Sequence, residues 1–137
     1  MSEENRTLVR TTIEEVFNRK RMGLIEIIYS PNCYGHSPEG SFKNRAGFIT
    51  LFERYAAAFP DFRINIQQII AEDDWVALHY NFVGTNTGPL IGFQATGQIV
   101  SVAGFVASRI ANNRIIEQYF MWDNLHARRQ LWQALAA

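Results

Sequence analysis

Residues 99–122 read IVSVAGFVASRIANNRIIEQYFMW, two long apolar stretches on either side of Asn112-Asn113. β-Branched and aromatic residues are frequent in both stretches, which is typical of strands. Asn tolerates the positive φ that a two-residue hairpin turn requires. The sequence therefore predicts a long antiparallel hairpin with strands over Ile99–Ala111 and Arg114–Trp122.

A second hairpin is predicted upstream. From Phe62 onward apolar and polar residues alternate, and the alternation slips by one residue at Gln67/Gln68, which indicates a β-bulge. We expect Glu72-Asp73 to form the turn and Trp75–Thr85 to return, with one apolar face made of Val76, Leu78, Tyr80 and Phe82. The glycine-rich stretch 84–97 between the hairpins predicts a mobile loop with a short β segment.

Helices are predicted at both ends of the chain. Ser2 and the acidic residues after it can cap a first helix, whose apolar positions through Phe17 recur at helical spacing. The other predicted helices cover Leu24–Tyr29, Asn44 to Phe59 (before Pro60) and Asn124–Ala136, and Asn32–Phe42 is interpreted as a loop or an irregular strand.

This order of elements predicts the architecture. Helices followed by a meander of long strands indicate an α+β fold, in which N-terminal helices pack on a strongly curved, mainly antiparallel sheet. A curled sheet closed by helices leaves a blind cavity and a cone-shaped domain. At 137 residues, the whole of 1–137 is expected to be a single domain.

Composition argues against several classes of function. Thirteen basic residues offset thirteen acidic ones, so we expect neither a nucleic acid nor a membrane partner. No apolar run approaches the length of a membrane span, and Cys33 stands alone, so no internal disulfide is possible. The polar, acidic N-terminus is unlike a secretory signal, and the chain is expected to be soluble and cytoplasmic.

Several short motifs occur together in a characteristic order. They are Tyr34-Gly35-His36-Ser37-Pro38, Ala58-Phe59-Pro60-Asp61, Ile70-Ala71-Glu72-Asp73-Asp74, Gly84-Thr85-Asn86-Thr87-Gly88, Gln94-Ala95-Thr96-Gly97, Arg109-Ile110, Glu117-Gln118-Tyr119 with Asp123 six residues after Glu117, and Gln130-Leu131. This ordered set, over roughly residues 5–131, resembles the SnoaL-like polyketide cyclase family of the nuclear-transport-factor-like superfamily.

The resemblance implies a cone-shaped α+β fold and a cofactor-free aldol cyclisation. The family's acid/base is a carboxylate at the end of the last long strand, and Asp123 matches that position. Two residues depart from the family pattern: Asn86 replaces a loop histidine, and Tyr119 replaces a tryptophan. Asn86 can still form hydrogen bonds but cannot relay a proton near neutral pH.

The position of Asp123 permits two interpretations. If residues pair outward from Asn112-Asn113 without interruption, one face holds Glu117, Tyr119, Met121 and Asp123, and the other holds Phe105, Gln118, Phe120 and Trp122. A pocket carboxylate among apolar side chains would suit proton abstraction beside a carbonyl group. Asp123 also directly precedes a predicted helix, however, where an aspartate commonly caps free N–H groups.

Other candidates for substrate binding are hydrogen-bonding or apolar side chains expected in the pocket. They are His36, Tyr34, Tyr80, Asn86, Tyr119 and Met121. Surface or core roles are the alternatives for these residues. Glu117 is a second candidate acid, unless a bulge places it on the same face as Arg109 in an ion pair. No histidine is paired with an aspartate or a cysteine at the spacing of metal ligands. We therefore expect no metal or cofactor.

The opposite sheet face suggests a partner. Phe105, Phe120 and Trp122 would form a row of exposed aromatic residues, which predicts a homodimer through that face. Two functions stay open: a cofactor-free acid/base enzyme for a small hydrophobic carbonyl compound (a cyclase, or a related isomerase or hydrolase), and a non-catalytic module for ligand binding or dimerisation. A carboxylate facing an open pocket favours the enzyme, and a capping Asp123 favours the module.

Overall fold

The computed structural model describes residues 2–90 and 94–136. The helices are α1 (Ser2–Thr11), which continues as a π-helix over Thr12–Asn18, a short 3-10 turn at Met22–Leu24, α2 (Ile25–Ile28), α3 (Arg45–Ala58) and α4 (Asn124–Ala136). The strands are β1 (Tyr29–Ser37), β2 (Gly40–Phe42), β3 (Arg63–Glu72), β4 (Trp75–Thr85), β5 (Ile99–Ala111) and β6 (Arg114–Trp122).

The strands in these ranges form one six-stranded sheet in the order β2-β1-β6-β5-β4-β3. Strands β1 and β6 are parallel, and the other neighbouring pairs are antiparallel. The α+β class and both predicted hairpins are therefore confirmed. Residues 91–93 of the predicted glycine-rich loop lie outside the described residues.

The local features of the two hairpins are largely as predicted. Asn112 and Asn113 have φ values of 52° and 60°, the positive angles that their turn requires. The register of β3 against β4 shifts between Ile66 and Gln68, which confirms the predicted bulge. The turn between these strands is shifted by one residue from the prediction, since Asp73 (φ 53°) and Asp74 connect them.

The β5–β6 hairpin contains a second bulge that the sequence analysis missed. Ile110 pairs with Ile115, but Arg109 pairs with Glu117, so Ile116 is an extra residue in β6. Because side chains alternate along a strand, one extra residue exchanges the two faces of β6 beyond this point. The predicted faces were wrong for this reason: Gln118 and Phe120 lie inside, and Tyr119 and Met121 lie outside.

The N-terminal half differs from the prediction mainly in its second helix. Of the two alternatives for Asn32–Phe42, the irregular strand is correct, because these residues form most of β1 and all of β2 at the edge of the sheet. The predicted second helix is one short turn, Ile25–Ile28. The third helix begins as predicted, because the Asn44 side chain accepts a hydrogen bond from the Gly47 N–H at 2.8 Å.

The core lies between the helices and the inner face of the sheet. A buried polar chain crosses it: the Tyr29 hydroxyl donates to Gln118 Oε1 (2.7 Å), and Gln118 Nε2 donates to Ser108 Oγ (2.9 Å). These bonds connect β1, β6 and β5 and satisfy three polar side chains within the core. No helix in the described ranges is long and apolar enough to span a membrane.

Candidate active site

A cavity of about 120 Å³ lies between α3, α4 and the inner face of the sheet. Most of its wall is apolar and comes from Ile13, Phe17, Phe48, Leu51, Phe52, Phe59, Phe62, Ile64, Phe82, Leu90, Val100, Val102, Val106, Phe120, Ala127 and Leu131. The alternation of β4 and β5 turns alternate side chains into this space, and α3 contributes one helical face. A mainly apolar cavity with few polar groups is the usual form of a small-molecule site.

The Tyr55 hydroxyl is the unusual polar group of the cavity. Its oxygen is buried and has no hydrogen-bond partner among the described residues. Burial raises the pKa of Tyr55 well above its ordinary value, and the nearby negative charge of Glu39 raises it further. The hydroxyl therefore keeps its proton, and it can donate a hydrogen bond to a ligand.

Glu39 and Arg128 add a charged pair to the same cavity. Arg128 Nη2 lies 2.5 Å from Glu39 Oε1, and the two side chains are 26% and 12% exposed. The pair joins the turn between β1 and β2 to α4. Neither residue was among the candidates from the sequence.

Tyr80 is the predicted site residue that the structure does place in the cavity wall. Its ring is buried, and burial raises the pKa of Tyr80. A Cβ atom at position 104 would lie 2.5 Å from the Tyr80 hydroxyl oxygen, so glycine at 104 makes room for the tyrosine. The phenol therefore lies against the β5 backbone on the inner face.

Asp123 adopts the capping geometry, not the pocket geometry. Its Oδ1 accepts the His126 N–H at 3.0 Å, and its carbonyl oxygen accepts the Ala127 N–H at 3.0 Å. The residue is exposed and is not part of the cavity wall, although both of its neighbours, Trp122 and Asn124, are. The expectation that Asp123 points into the cavity is therefore corrected: as the first residue after β6, it starts α4.

Four other predicted site residues lie on the outer face of the sheet. Met121 is 60% exposed and Tyr34 is 43% exposed, because the bulge at Ile116 turns β6 and because Tyr34 lies on the outward side of β1. Tyr119 donates to Glu117 Oε2 at 2.8 Å, and His36 Nδ1 lies 2.8 Å from Ser41 Oγ. The expected pocket positions of these four side chains are wrong.

Asn86 is buried, but it is not in the cavity wall. Its Nδ2 donates to the carbonyl oxygens of Ala58 and Gly88, and its Oδ1 accepts from the N–H and the hydroxyl of Thr96. The side chain thus ties the end of α3 to the chain on either side of residues 91–93. A hydrogen bond from Asn86 to a substrate would require breaking this network.

The aromatic row predicted on the outer face is only partly correct. Phe105 is 59% exposed there and stacks on His79, with a ring-centroid distance of 4.7 Å. Phe120 and Trp122 line the cavity instead, because the bulge at Ile116 turns their side chains to the inner face. The exposed apolar residues on the outer side of β5 and β6 are therefore Phe105 and Met121.

Comparison with known proteins agrees with this architecture. The family model for SnoaL-like polyketide cyclases matches residues 7–131. The chain belongs to the SnoaL-like polyketide cyclase family. The resemblance inferred from the short motifs is thereby confirmed, and with it a general assignment to cyclase-type proteins.

Several solved structures share the fold over nearly the full chain. AclR from Streptomyces galilaeus, a proposed hydroxylase, is 26% identical with a TM-score of 0.86 and coverage of 97% of this chain and 98% of AclR. A proposed SnoaL-like polyketide cyclase from Jannaschia sp. CCS1 is 17% identical, with a TM-score of 0.89 and coverage of 95% and 92%. The proposed cyclase IdmH from Streptomyces antibioticus is 22% identical, with a TM-score of 0.80 and coverage of 97% and 99%. No curated protein matched the sequence.

Four polar residues of the cavity were missed by sequence reasoning: Glu39, Tyr55, Asn124 and Arg128. Tyr55 lies on the apolar face of an amphipathic helix, where the pattern predicts a core residue. Glu39 follows Pro38 in a predicted loop, and Arg128 belongs to a basic pair on a helix, which is usually a solvated face. The described residues contain no group of three or more histidine, cysteine or acidic side chains that could hold a metal ion.

Proposed function

We propose that this chain is a cofactor-free acid/base enzyme that acts on a small hydrophobic carbonyl compound bound in the cavity. The observation that carries the proposal is the buried, unpartnered Tyr55 hydroxyl in an otherwise mainly apolar wall. A buried hydroxyl without a partner costs free energy, on the order of 1–3 kcal/mol. A ligand that supplies an acceptor recovers that cost, and such a requirement favours a specific class of ligand.

A carbonyl oxygen is the acceptor that suits Tyr55. The raised pKa of Tyr55 keeps it in the donor form, and most of the cavity wall around it is apolar. A donor in such surroundings stabilises the negative charge that develops on a carbonyl oxygen when the neighbouring carbon loses a proton. The enolate so formed is the nucleophile of an aldol cyclisation, the chemistry that family membership suggests.

The size of the cavity limits the substrate. An engineered cavity of about 150 Å³ binds benzene, and the cavity here measures about 120 Å³. The part of the substrate that the cavity encloses is therefore about the size of one ring.

The carboxylate that moves the proton is the second part of the proposal. The family position assigns this role to Asp123, which stays a prediction. For Asp123 to act on a ligand in the cavity, its side chain would have to turn away from the His126 N–H that it accepts at 3.0 Å. Glu39 is an alternative carboxylate, and it is part of the cavity wall.

A non-catalytic binding module is the second candidate function. The observation that favours it is the capping geometry of Asp123, because its carboxylate binds a backbone N–H of α4 and lies outside the cavity wall. In that case the cavity would hold an apolar carbonyl ligand without converting it.

Hydrogen–deuterium exchange of 2-indanone in D2O tests the proposal without knowledge of the natural substrate. This one-carbonyl probe has acidic carbons beside its carbonyl group, and NMR follows the loss of their proton signals. We expect the wild-type protein to accelerate the exchange, and Leu51→Trp, which fills the cavity, to abolish the acceleration. The control is Ile27→Trp at an exposed position.

The possible outcomes separate the two candidate functions. Exchange that is accelerated by wild type and by Ile27→Trp, but not by Leu51→Trp, supports the enzyme function. Binding of 2-indanone without exchange, measured by calorimetry, supports the binding module. A wild-type protein that neither binds nor exchanges the probe contradicts both.

A further inference from the structure

We infer that Glu39 is the catalytic acid–base carboxylate of the cavity and that Arg128 holds it in place. This inference rests on the proposed function and names the group that moves the proton. Asp123, the family-derived candidate, lies outside the cavity wall, whereas Glu39 lies within it.

The turn between β1 and β2 places Glu39 through a buried serine. Ser37 Oγ accepts the Glu39 N–H at 3.2 Å and donates to the Gly40 carbonyl oxygen at 3.0 Å. Ser37 is fully buried, so the turn is anchored to the core and not only to the surface. The backbone of Glu39 is thus held on a rigid element, as a catalytic group requires.

Arg128 supplies the positive charge that a carboxylate needs in partly apolar surroundings. The pair is short, 2.5 Å between Nη2 and Oε1, and the Glu39 side chain is only 12% exposed. An ionised carboxylate at this depth would be costly without a partner. Arg128 therefore holds the Glu39 side chain in place in the cavity wall.

Glu39 lines the same cavity as the group proposed to hold the carbonyl oxygen. After burial, the Glu39 charge is the largest influence on the pKa of Tyr55, and it raises that pKa. The two residues come from different elements, the β1–β2 turn and α3, and both line the cavity. A ligand whose carbonyl oxygen accepts from Tyr55 would thus lie in the cavity that Glu39 also lines.

The step can be written with its atoms and electrons balanced. Glu39 takes a proton from the carbon beside the carbonyl group, and the C–H electron pair forms the C=C bond of an enolate whose oxygen accepts from Tyr55. In an aldol step the enolate carbon forms a C–C bond to a second carbonyl carbon of the same molecule. The oxygen of that second carbonyl then takes the proton from Glu39, and no oxidant or cofactor is consumed.

The test compares three isosteric variants in the 2-indanone exchange assay. Glu39→Gln removes the proposed base, Asp123→Asn removes the family-derived one, and Glu53→Gln is a control on the exposed side of α3. Asparagine caps helices about as well as aspartate, so Asp123→Asn preserves the start of α4. We expect Glu39→Gln to lose on the order of 100-fold or more in exchange rate, and the other two variants to stay within about threefold of wild type.

A second variant distinguishes loss of the carboxylate from loss of the folded structure. In Glu39→Ala, added formate should restore part of the exchange, whereas a protein that has lost its structure cannot be rescued. The inference is overturned if Glu39→Gln keeps wild-type exchange, if Asp123→Asn loses as much, or if formate restores nothing. A wild-type protein without exchange activity would instead refute the proposed function on which the inference rests.

Discussion

Arg109 and Glu117 lie directly opposite each other on β5 and β6, with Nε 2.7 Å from Oε1. They pair because Ile116 is the extra residue of a bulge, the condition under which the sequence analysis expected this ion pair. Tyr119 donates to the other oxygen, Oε2, at 2.8 Å, so both oxygens of Glu117 accept a hydrogen bond. The outer face of the sheet thus carries a satisfied polar cluster at the point where the register changes.

This cluster makes the folding stability of the protein depend on pH. Burial alone would raise the pKa of Glu117, but the hydrogen bonds from Arg109 and Tyr119 and the charge of Arg109 together lower it below 4.5. A lowered carboxyl pKa contributes stability above the pKa of the unfolded chain, and that contribution is lost as the pH falls through the folded value. Wild type should therefore be more stable than Glu117→Gln at pH 7, and the difference should shrink below about pH 4.5.

Urea unfolding of both proteins between pH 7 and pH 3 measures the difference. Glu72→Gln, at the exposed end of β3, is the matched control and should show no comparable pH dependence. An equal gap between wild type and Glu117→Gln at every pH would contradict the assigned role of the ion pair.

The bulge at Ile116 also explains how far the fold could be predicted. Strands and helices follow from periodicity and turn residues, and both hairpins and α4 were predicted from those signals. The bulge is different, because Arg114 and Ile115 give no local sign that the next residue leaves the ladder. One such residue reverses the inner and outer faces of β6, so an accurate strand prediction still assigned its side chains to the wrong faces.

Substitution of Asn86 tests whether this residue stabilises the fold, separately from any effect on catalysis. Its side chain makes four hydrogen bonds while fully buried. We expect Asn86→Ala to lower the free energy of unfolding by about 3 kcal/mol, because it leaves buried polar groups without partners. The control Asn65→Ala, at an exposed position of β3, should change it by less than about 0.5 kcal/mol.

Urea denaturation measures both changes. A stable Asn86→Ala protein that has lost activity would contradict the structural role and point to substrate contact. Equal destabilisation by both substitutions would also contradict it, because only Asn86 has the buried network.

The site was less predictable than the fold. Tyr80 was placed correctly because β4 alternates without interruption between Val76 and Phe82. Glu39, Tyr55 and Arg128 come from a turn and two helices, and their approach depends on how α3 and α4 pack on the sheet. No spacing within one element encodes that packing, so the polar groups of the cavity were not predicted together.

Homodimerisation through the outer face stays a prediction, with a revised set of contact residues. Phe105 and Met121 pair across β5 and β6 and are 59% and 60% exposed. Large exposed apolar side chains that adjoin each other are typical of partner surfaces. Phe105→Lys should therefore shift a dimer toward monomer in sedimentation velocity, whereas Ile27→Lys on α2 should not. A wild-type protein that is monomeric at micromolar concentrations would refute the prediction.

The most direct test of the central claim is the carbonyl stretching frequency of bound 2-indanone labelled with 13C at its carbonyl carbon. If Tyr55 donates to the carbonyl oxygen, the band in the wild-type complex should lie below its position in an apolar solvent. In Tyr55→Phe, which keeps the ring and removes the buried hydroxyl, the band should return to the apolar position while calorimetry still detects binding. The same frequency in both complexes would contradict the claim that Tyr55 holds the carbonyl group of a substrate in this cavity.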